Sequence, residues 1–232
     1  MDFQNEWKHA INRSDLMIVE YRLSLFARPD AHAFDQGNCI HGLYFDDPSF
    51  STALSDKCGR ASLREKFRIV YYDDDLSLIR LEKKSEMNGM SCRESCEVTR
   101  EFVEMILNRK FKTIVTDPMG HTGEEVDPLI QEFYWKTVGN GLHPIELMDF
   151  ERKSYVYSYG DVRITMDHNF RSSRNIREFL NPYHQFEAQV EDQIIIGVKW
   201  KNYFPDVVKS SIMLQGRTLG SYPGYEVRRA VI

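Results

Sequence analysis

Between Arg64 and Lys84 the hydrophobic and polar positions alternate with a period of two, the pattern of β-strands. In REKFRIVYY, Arg64, Lys66 and Arg68 share one face while Phe67, Ile69 and Tyr71 share the other. After an acidic turn at Asp73, Asp74 and Asp75, Arg80, Glu82 and Lys84 alternate with Ile79 and Leu81. The segment predicts an antiparallel hairpin with one ionic and one apolar face. Such a charged face is commonly the solvated side of a sheet. Here it carries five cations against the single carboxylate Glu82. Like charges opposed across a ladder repel, so an anion is expected among them.

The same reading extends along the chain. Residues 5–12 form a short strand with Glu6 and Lys8 on one face. Ser14 or Asp15 caps a helix to about Arg28, with Leu16, Val19, Leu23 and Phe26 as its apolar stripe and Pro29 beyond it. Strands are expected at 39–46 and, after Asn88-Gly89, at 91–98. Thr99 caps a helix that turns Phe102, Val103 and Ile106 inward. Asp127 with Pro128 opens another, closed by Gly139 and Gly141, with Ile130, Phe133, Tyr134 and Val138 as its face. A long strand over 142–159 turns at Tyr159-Gly160-Asp161 into a strand at 162–167. A polar connection then fills 168–182. The most apolar strand is 194–200, and a helix over 205–214 stops at Gly216. A short irregular or helical link over 49–60, closed by Gly59, and a last strand at 225–231 complete the pattern. The apolar faces of the strands need cover, and about eight strands suffice to close a barrel. The fold class expected is α+β: a closed antiparallel β-barrel forming a tunnel with a basic interior, helices packed outside, and residues 1–232 in one domain.

Charge sharpens this picture. The chain of 232 residues has a net charge of −5, so clustered Lys and Arg are a placed feature, and a nucleic-acid polymer is not an expected partner. The four cysteines, Cys39, Cys58, Cys92 and Cys96, make no CxxC pair and fit a reducing, cytoplasmic setting with ordinary packing roles. Cys92 and Cys96 could meet across a helical turn, yet lack His partners at zinc spacing. No segment approaches the roughly 20 apolar residues of a membrane span. Membrane association would come through a partner protein.

Further strands repeat the ionic pattern. Arg163, Thr165 and Asp167 share a face; Arg152 lies opposite Glu151 and Lys153; Lys199 shares a face with Ile195 and Gly197. If helices lie outside, these ionic faces meet inside a closed sheet. Unpaired charges in a dry interior cost several kcal/mol each, so the interior is expected to be wet and to hold an anion. Forked Arg and compact Lys together suit a chain of phosphates. Glu6, Glu82 and Asp167 could then serve as oxygen ligands of a divalent cation. No phosphate loop, nucleophile elbow or HExxH helix is present, and the seven histidines are scattered.

Segments EWKHAIN (6–12), GLYFDD (42–47), REKFRIVYY (64–72), IRLEKK (79–84), ERKSYV (151–156) and DVRITMD (161–167) occur in an order that resembles the polyphosphate polymerase domain of the vacuolar transporter chaperone (VTC) family, in the triphosphate tunnel metalloenzyme superfamily. The resemblance implies a barrel that binds phosphate chains through inward basic residues. It also implies transfer of the terminal phosphoryl group of ATP to a growing polyphosphate with a divalent metal, typically manganese, with magnesium as the alternative. Carried onto this chain, it makes Lys8, Lys66, Arg68, Lys84, Arg93, Arg152, Arg163 and Lys199 phosphate-binding residues. Lys66, Arg68, Arg163 and Lys199 are the catalytic set and Glu6, Glu82 and Asp167 the metal ligands. The partners implied are ATP, polyphosphate and tripolyphosphate, with a membrane protein as a further one. Relatives usually carry a metal-binding Glu where this chain has Gly197, and often Lys near Gly224. The alternatives are therefore a tripolyphosphatase or nucleoside triphosphatase of the same fold, or a phosphate-chain binder with weakened catalysis.

Overall fold

The computed structural model describes residues 2–30, 39–48, 64–110, 127–190 and 193–214. The expected link at 49–60, the terminal strand at 225–231, and Gly216 and Gly224 lie outside these. The strands are β1 (Gln4–Ile11), β2 (Arg28–Pro29), β3 (Cys39–Asp46), β4 (Arg64–Tyr72), β5 (Asp75–Met87), β6 (Met90–Val98), β7 (His143–Tyr157), β8 (Val162–Ser173), β9 (Ala188–Val190) and β10 (Ile194–Trp200). Eight of them run β7-β3-β4-β5-β6-β1-β10-β8, and β8 pairs back onto β7 to close the barrel. All pairings are antiparallel. The two-residue β2 attaches to β7, and β9 to β8.

Among the described residues, four helices cover the outside: α1 (Arg13–Ser24), α2 (Arg100–Leu107), α3 (Pro128–Asn140) and α4 (Asp206–Ile212). Outward residues of β3, β4 and β5, including Leu43, Ile69 and Leu81, pack with Phe102 and Ile106 of α2 and Phe133 of α3. On the other side, Ile164 and Ile196 pack with Val19 and Leu23 of α1 and with Val208 and Ile212 of α4. Each such side chain contributes about 1.5–3 kcal/mol by leaving water. These two layers turn the ionic faces of the strands inward. Among the described residues, no helix is long and apolar enough to cross a membrane.

Several local expectations shift. The cap of α1 is Asn12, whose side chain accepts from Asp15 N while Asp15 reaches back to Asn12 N, a capping box that starts the helix earlier than Ser14. The helix ends at Ser24, because Arg28 and Pro29 pair with β7. In α3, Leu129 and Thr137 are buried and Val138 faces solvent. β8 continues through residues read as connection: Asn169 adopts a positive φ of 55°, which interrupts the alternation, and pairing resumes at Arg171. Cys92 and Cys96 lie on β6, where a rise of about 3.4 Å per residue keeps them well apart.

The interior is not polar throughout. Ile40, Val70, Met148, Phe150, Phe170 and Ile195, on inward positions of β3, β4, β7, β8 and β10, form a buried apolar cluster inside the barrel. Tyr44 and Tyr72 pack against it and mark where the ionic section begins.

Candidate functional site in the barrel lumen

The strand registers decide which charges meet. Lys66 lies across from Lys84, Arg68 from Glu82, and Lys84 from Arg93. Glu6 is opposite Lys199 and Lys8 opposite Gly197. Arg152 is opposite Asp167. Two linked groups result.

The first is built on ammonium groups. Lys84 Nζ lies 2.5 Å from Glu6 Oε2 and 2.5 Å from Glu86 Oε1, so one ammonium joins two carboxylates. Lys8 and Lys199 approach the other oxygen of Glu6 at 3.6 and 3.9 Å, and Lys66 lies 3.9 Å from Glu86 Oε2. The second group is built on guanidinium forks. Arg68 reaches Glu82 Oε2 through Nε at 2.8 Å and Nη2 at 2.6 Å, and donates to Tyr44 Oη at 3.1 Å. Arg93 adds a contact to Glu82 at 3.5 Å. Arg152 grips Asp167 with two bonds of 2.6 and 2.7 Å.

Lys8, Lys66, Lys84, Lys199, Arg68, Arg93 and Arg152 outnumber Glu6, Glu82, Glu86 and Asp167 by three. Their side chains keep between 12% and 33% of their surface, so water reaches them and so could a ligand. The surplus perturbs the titration of Glu6, Glu82, Lys8 and Lys199. Burial alone would raise the Glu6 carboxyl, but Lys8, Lys84 and Lys199 overcome it and hold the group far below its ordinary value. Glu82 is lowered to about 2 because Arg68 and Arg93 outweigh its burial. Lys8 falls to about 8, chiefly through repulsion by Lys84 and then burial. Lys199 falls to about 7 through burial together with Arg93, Lys84 and Lys8, against the pull of Glu6.

The carboxylates allow a test of whether a divalent cation fits. A hard cation bridging phosphates needs one or two protein carboxylates, the remaining positions being filled by phosphate oxygens and water. Glu6 and Glu86 meet that need, since a cation, the Lys84 ammonium, already sits between them. Glu82 and Asp167 are occupied by guanidinium forks. Glu6, Glu82 and Asp167 do not converge on one point: among the described residues, the group of three candidate ligands with donor atoms within 4.8 Å is Cys39, His41 and Asp149, outside the lumen. Glu86 lies on β5 two residues beyond Lys84, past the end of the predicted strand. Continuing the alternation by two residues finds it.

Arg163 is the residue placed least as expected. Its position on β8 faces the same way as Thr165 and Asp167, yet its side chain is 51% exposed and lies 2.6 Å from Asp30, which is 2% exposed. Gly197 lines the lumen as expected. A Cβ there would stand 2.9 Å from Thr165 Oγ1 and 3.6 Å from Lys8 Cγ.

A family model described as the VTC domain matches residues 3–218. None of the curated proteins compared with the chain matches it. Among solved structures, a Bacillus halodurans protein assigned as an adenylate cyclase is 13% identical, with 99% of this chain and 98% of that one covered and a TM-score of 0.49. A Hippeastrum protein assigned as an adenylyl cyclase and described by a dominant triphosphatase activity is 13% identical, with 100% and 89% covered and a TM-score of 0.49. The triphosphatase of the Mimivirus capping enzyme is 10% identical, with 91% and 86% covered and a TM-score of 0.37.

Proposed function

Because this chain belongs to the VTC-domain family, we propose that its lumen binds chains of phosphate and that the protein is a metal-dependent polyphosphate polymerase, moving the terminal phosphoryl group of ATP onto a growing polyphosphate. The observation that carries this reading is the surplus of cations over carboxylates in a lumen open to water. An unliganded surplus of three charges repels itself; a polyphosphate or tripolyphosphate segment would relieve it.

In this reading Arg68, Arg93 and Arg152 bind phosphate oxygens as forks and Lys66, Lys84, Lys8 and Lys199 as point charges. The phosphates displace some of the internal ion pairs, and Lys8 and Lys199 take up protons as anionic oxygens approach. Lys66, Arg68 and Lys199 hold the transferring group and the acceptor end in line. Catalysis is then positioning and charge neutralisation, without a covalent protein intermediate. Glu6 and Glu86 would hold the divalent cation, manganese or magnesium, with Glu82 and Asp167 available once their arginines turn to phosphate. When bound, that cation would neutralise charge on the phosphate oxygens.

Incubation with ATP and manganese is expected to produce long, acid-labile phosphate chains. Free phosphate without chains would identify the triphosphatase reading instead. Gly197 favours one further reading, a binder with weakened catalysis, because position 197 projects no carboxylate beside Lys8. That reading predicts tight polyphosphate binding without turnover under any divalent metal.

A further inference from the structure

Cys39, His41 and Asp149 meet on the outer face of the barrel wall, away from the lumen. Cys39 and His41 are two residues apart on β3 and leave the face opposite the inward Ile40, while Asp149 lies directly across the ladder from His41. Their donor atoms all lie within 4.8 Å of one another. His41 Nδ1 is 2.5 Å from Asp149 Oδ2, and His41 Nε2 is 3.9 Å from Asp74 Oδ1. Arg171 Nη2 lies 3.9 Å from Cys39 Sγ and 4.0 Å from Asp149 Oδ2. His41 and Asp149 are buried and Cys39 is half-buried.

Two observations separate this group from ordinary packing. The ring of Tyr71 stacks on His41 at 4.5 Å and 11°, and its fully buried hydroxyl has no hydrogen-bond partner among the described residues. A buried orphan hydroxyl calls for an occupant such as water or a bound ion's water. The donors are also held rigid. Both strands belong to the closed wall, and the Cys39 backbone is fastened to Asp73 by Cys39 N to Asp73 Oδ1 at 3.0 Å and Asp73 N to Cys39 O at 2.8 Å.

We propose that Cys39, His41 and Asp149 form a site for a zinc-class divalent cation, separate from the cation of the lumen. A thiolate, an imidazole and a carboxylate are the donor set of zinc, whereas magnesium and manganese favour oxygen alone. Binding replaces the Cys39 thiol proton and the proton shared by His41 and Asp149, both released to solvent. The fourth position goes to a water within reach of Tyr71, Asp74 stays on the Nε2 side of the His41 ring, and Arg171 stays as an outer partner of Asp149. The cation would clamp β3 to β7, the strands that carry Tyr44 and Arg152 into the lumen.

The test uses the whole chain, stripped with chelator and titrated with cobalt(II). Expected is a thiolate-to-cobalt charge-transfer absorption in the near ultraviolet, saturating at one equivalent and reversed by zinc. Cys39→Ser is expected to abolish it, and Asp149→Asn to weaken zinc binding by at least the roughly 10–100-fold that loss of an outer partner causes. Glu6→Gln, in the lumen, is expected to keep the band. If Cys39→Ser does not fold, alkylation of the unmodified chain decides: zinc must slow labelling of the Cys39 peptide. A cobalt complex without the thiolate band, a band that survives Cys39→Ser, or labelling of Cys39 indifferent to zinc overturns the proposal.

Discussion

The guanidinium of Arg163 lies 2.6 Å from the carboxylate of Asp30, a residue 2% exposed that also donates its backbone N–H to Ser154 O. This pair and that hydrogen bond fasten Asp30, just after β2, to β8 and β7. Arg163→Ala is therefore expected to destabilise the fold by about 1–3 kcal/mol, through a buried acceptor losing a charged donor. Tripolyphosphate affinity should fall less than in Arg68→Ala. Urea denaturation beside calorimetric titration separates the two effects. A stable Arg163→Ala protein that no longer binds tripolyphosphate would instead return this residue to the lumen set.

Glu86 shares the Lys84 ammonium with Glu6 and also neighbours Lys66. Removing its charge should act in opposite directions on the two ligands. In chelator, Glu86→Gln is expected to bind tripolyphosphate several-fold more tightly, since two lysines lose a competing carboxylate. With manganese present, more metal should be needed to reach half-maximal activity. Affinities measured with and without metal check both signs.

The depressed lysines give a pH dependence. Lys199 at about 7 and Lys8 at about 8 hold fewer protons in the folded chain than in the unfolded one, whose ordinary value is 10.5. These groups penalise the empty fold at low pH and cease to do so as pH rises from about 7 to 10.5, so their contribution to unliganded stability increases over that window. Phosphate binding prefers the charged amines and runs the other way. In chelator, affinity is expected to weaken from pH 7 to 9 with proton uptake on binding, seen as buffer-dependent heats. Lys199→Met should reduce both the affinity and the slope.

Position 197 can be tested by substitution. Gly197→Glu would project a carboxylate beside Lys8, with Thr165 Oγ1 at 2.9 Å from the new Cβ and obliged to rotate. Expected are a stability loss of about 1–3 kcal/mol and tighter manganese binding, read by titration against the unmodified chain. Manganese affinity unchanged in a folded variant would show that this position does not address the metal.

The hairpin of β4 and β5 was legible because both its faces are marked, one by charge and one by aliphatic and aromatic side chains. The same holds for Glu6 with Lys8, for Arg152 and for Lys199, all of which face the lumen. What escaped depends on partners far apart in the chain. Cys39 and His41 read as packing residues until the β3–β7 register sets Asp149 across from His41, over a hundred positions away. The capture of Arg163 by Asp30 has the same origin. β8 was cut short for a local reason, since the positive φ at Asn169 breaks the period of two on which strand recognition rests.

The apolar cluster of Ile40, Val70, Met148, Phe150, Phe170 and Ile195 has a consequence for traffic. A hydrated polyanion passing beside these side chains would shed water that they cannot replace. A phosphate chain would then rest at the ionic end of the barrel, where lysine and arginine repay the water it loses, and the oily stretch would set how far it penetrates.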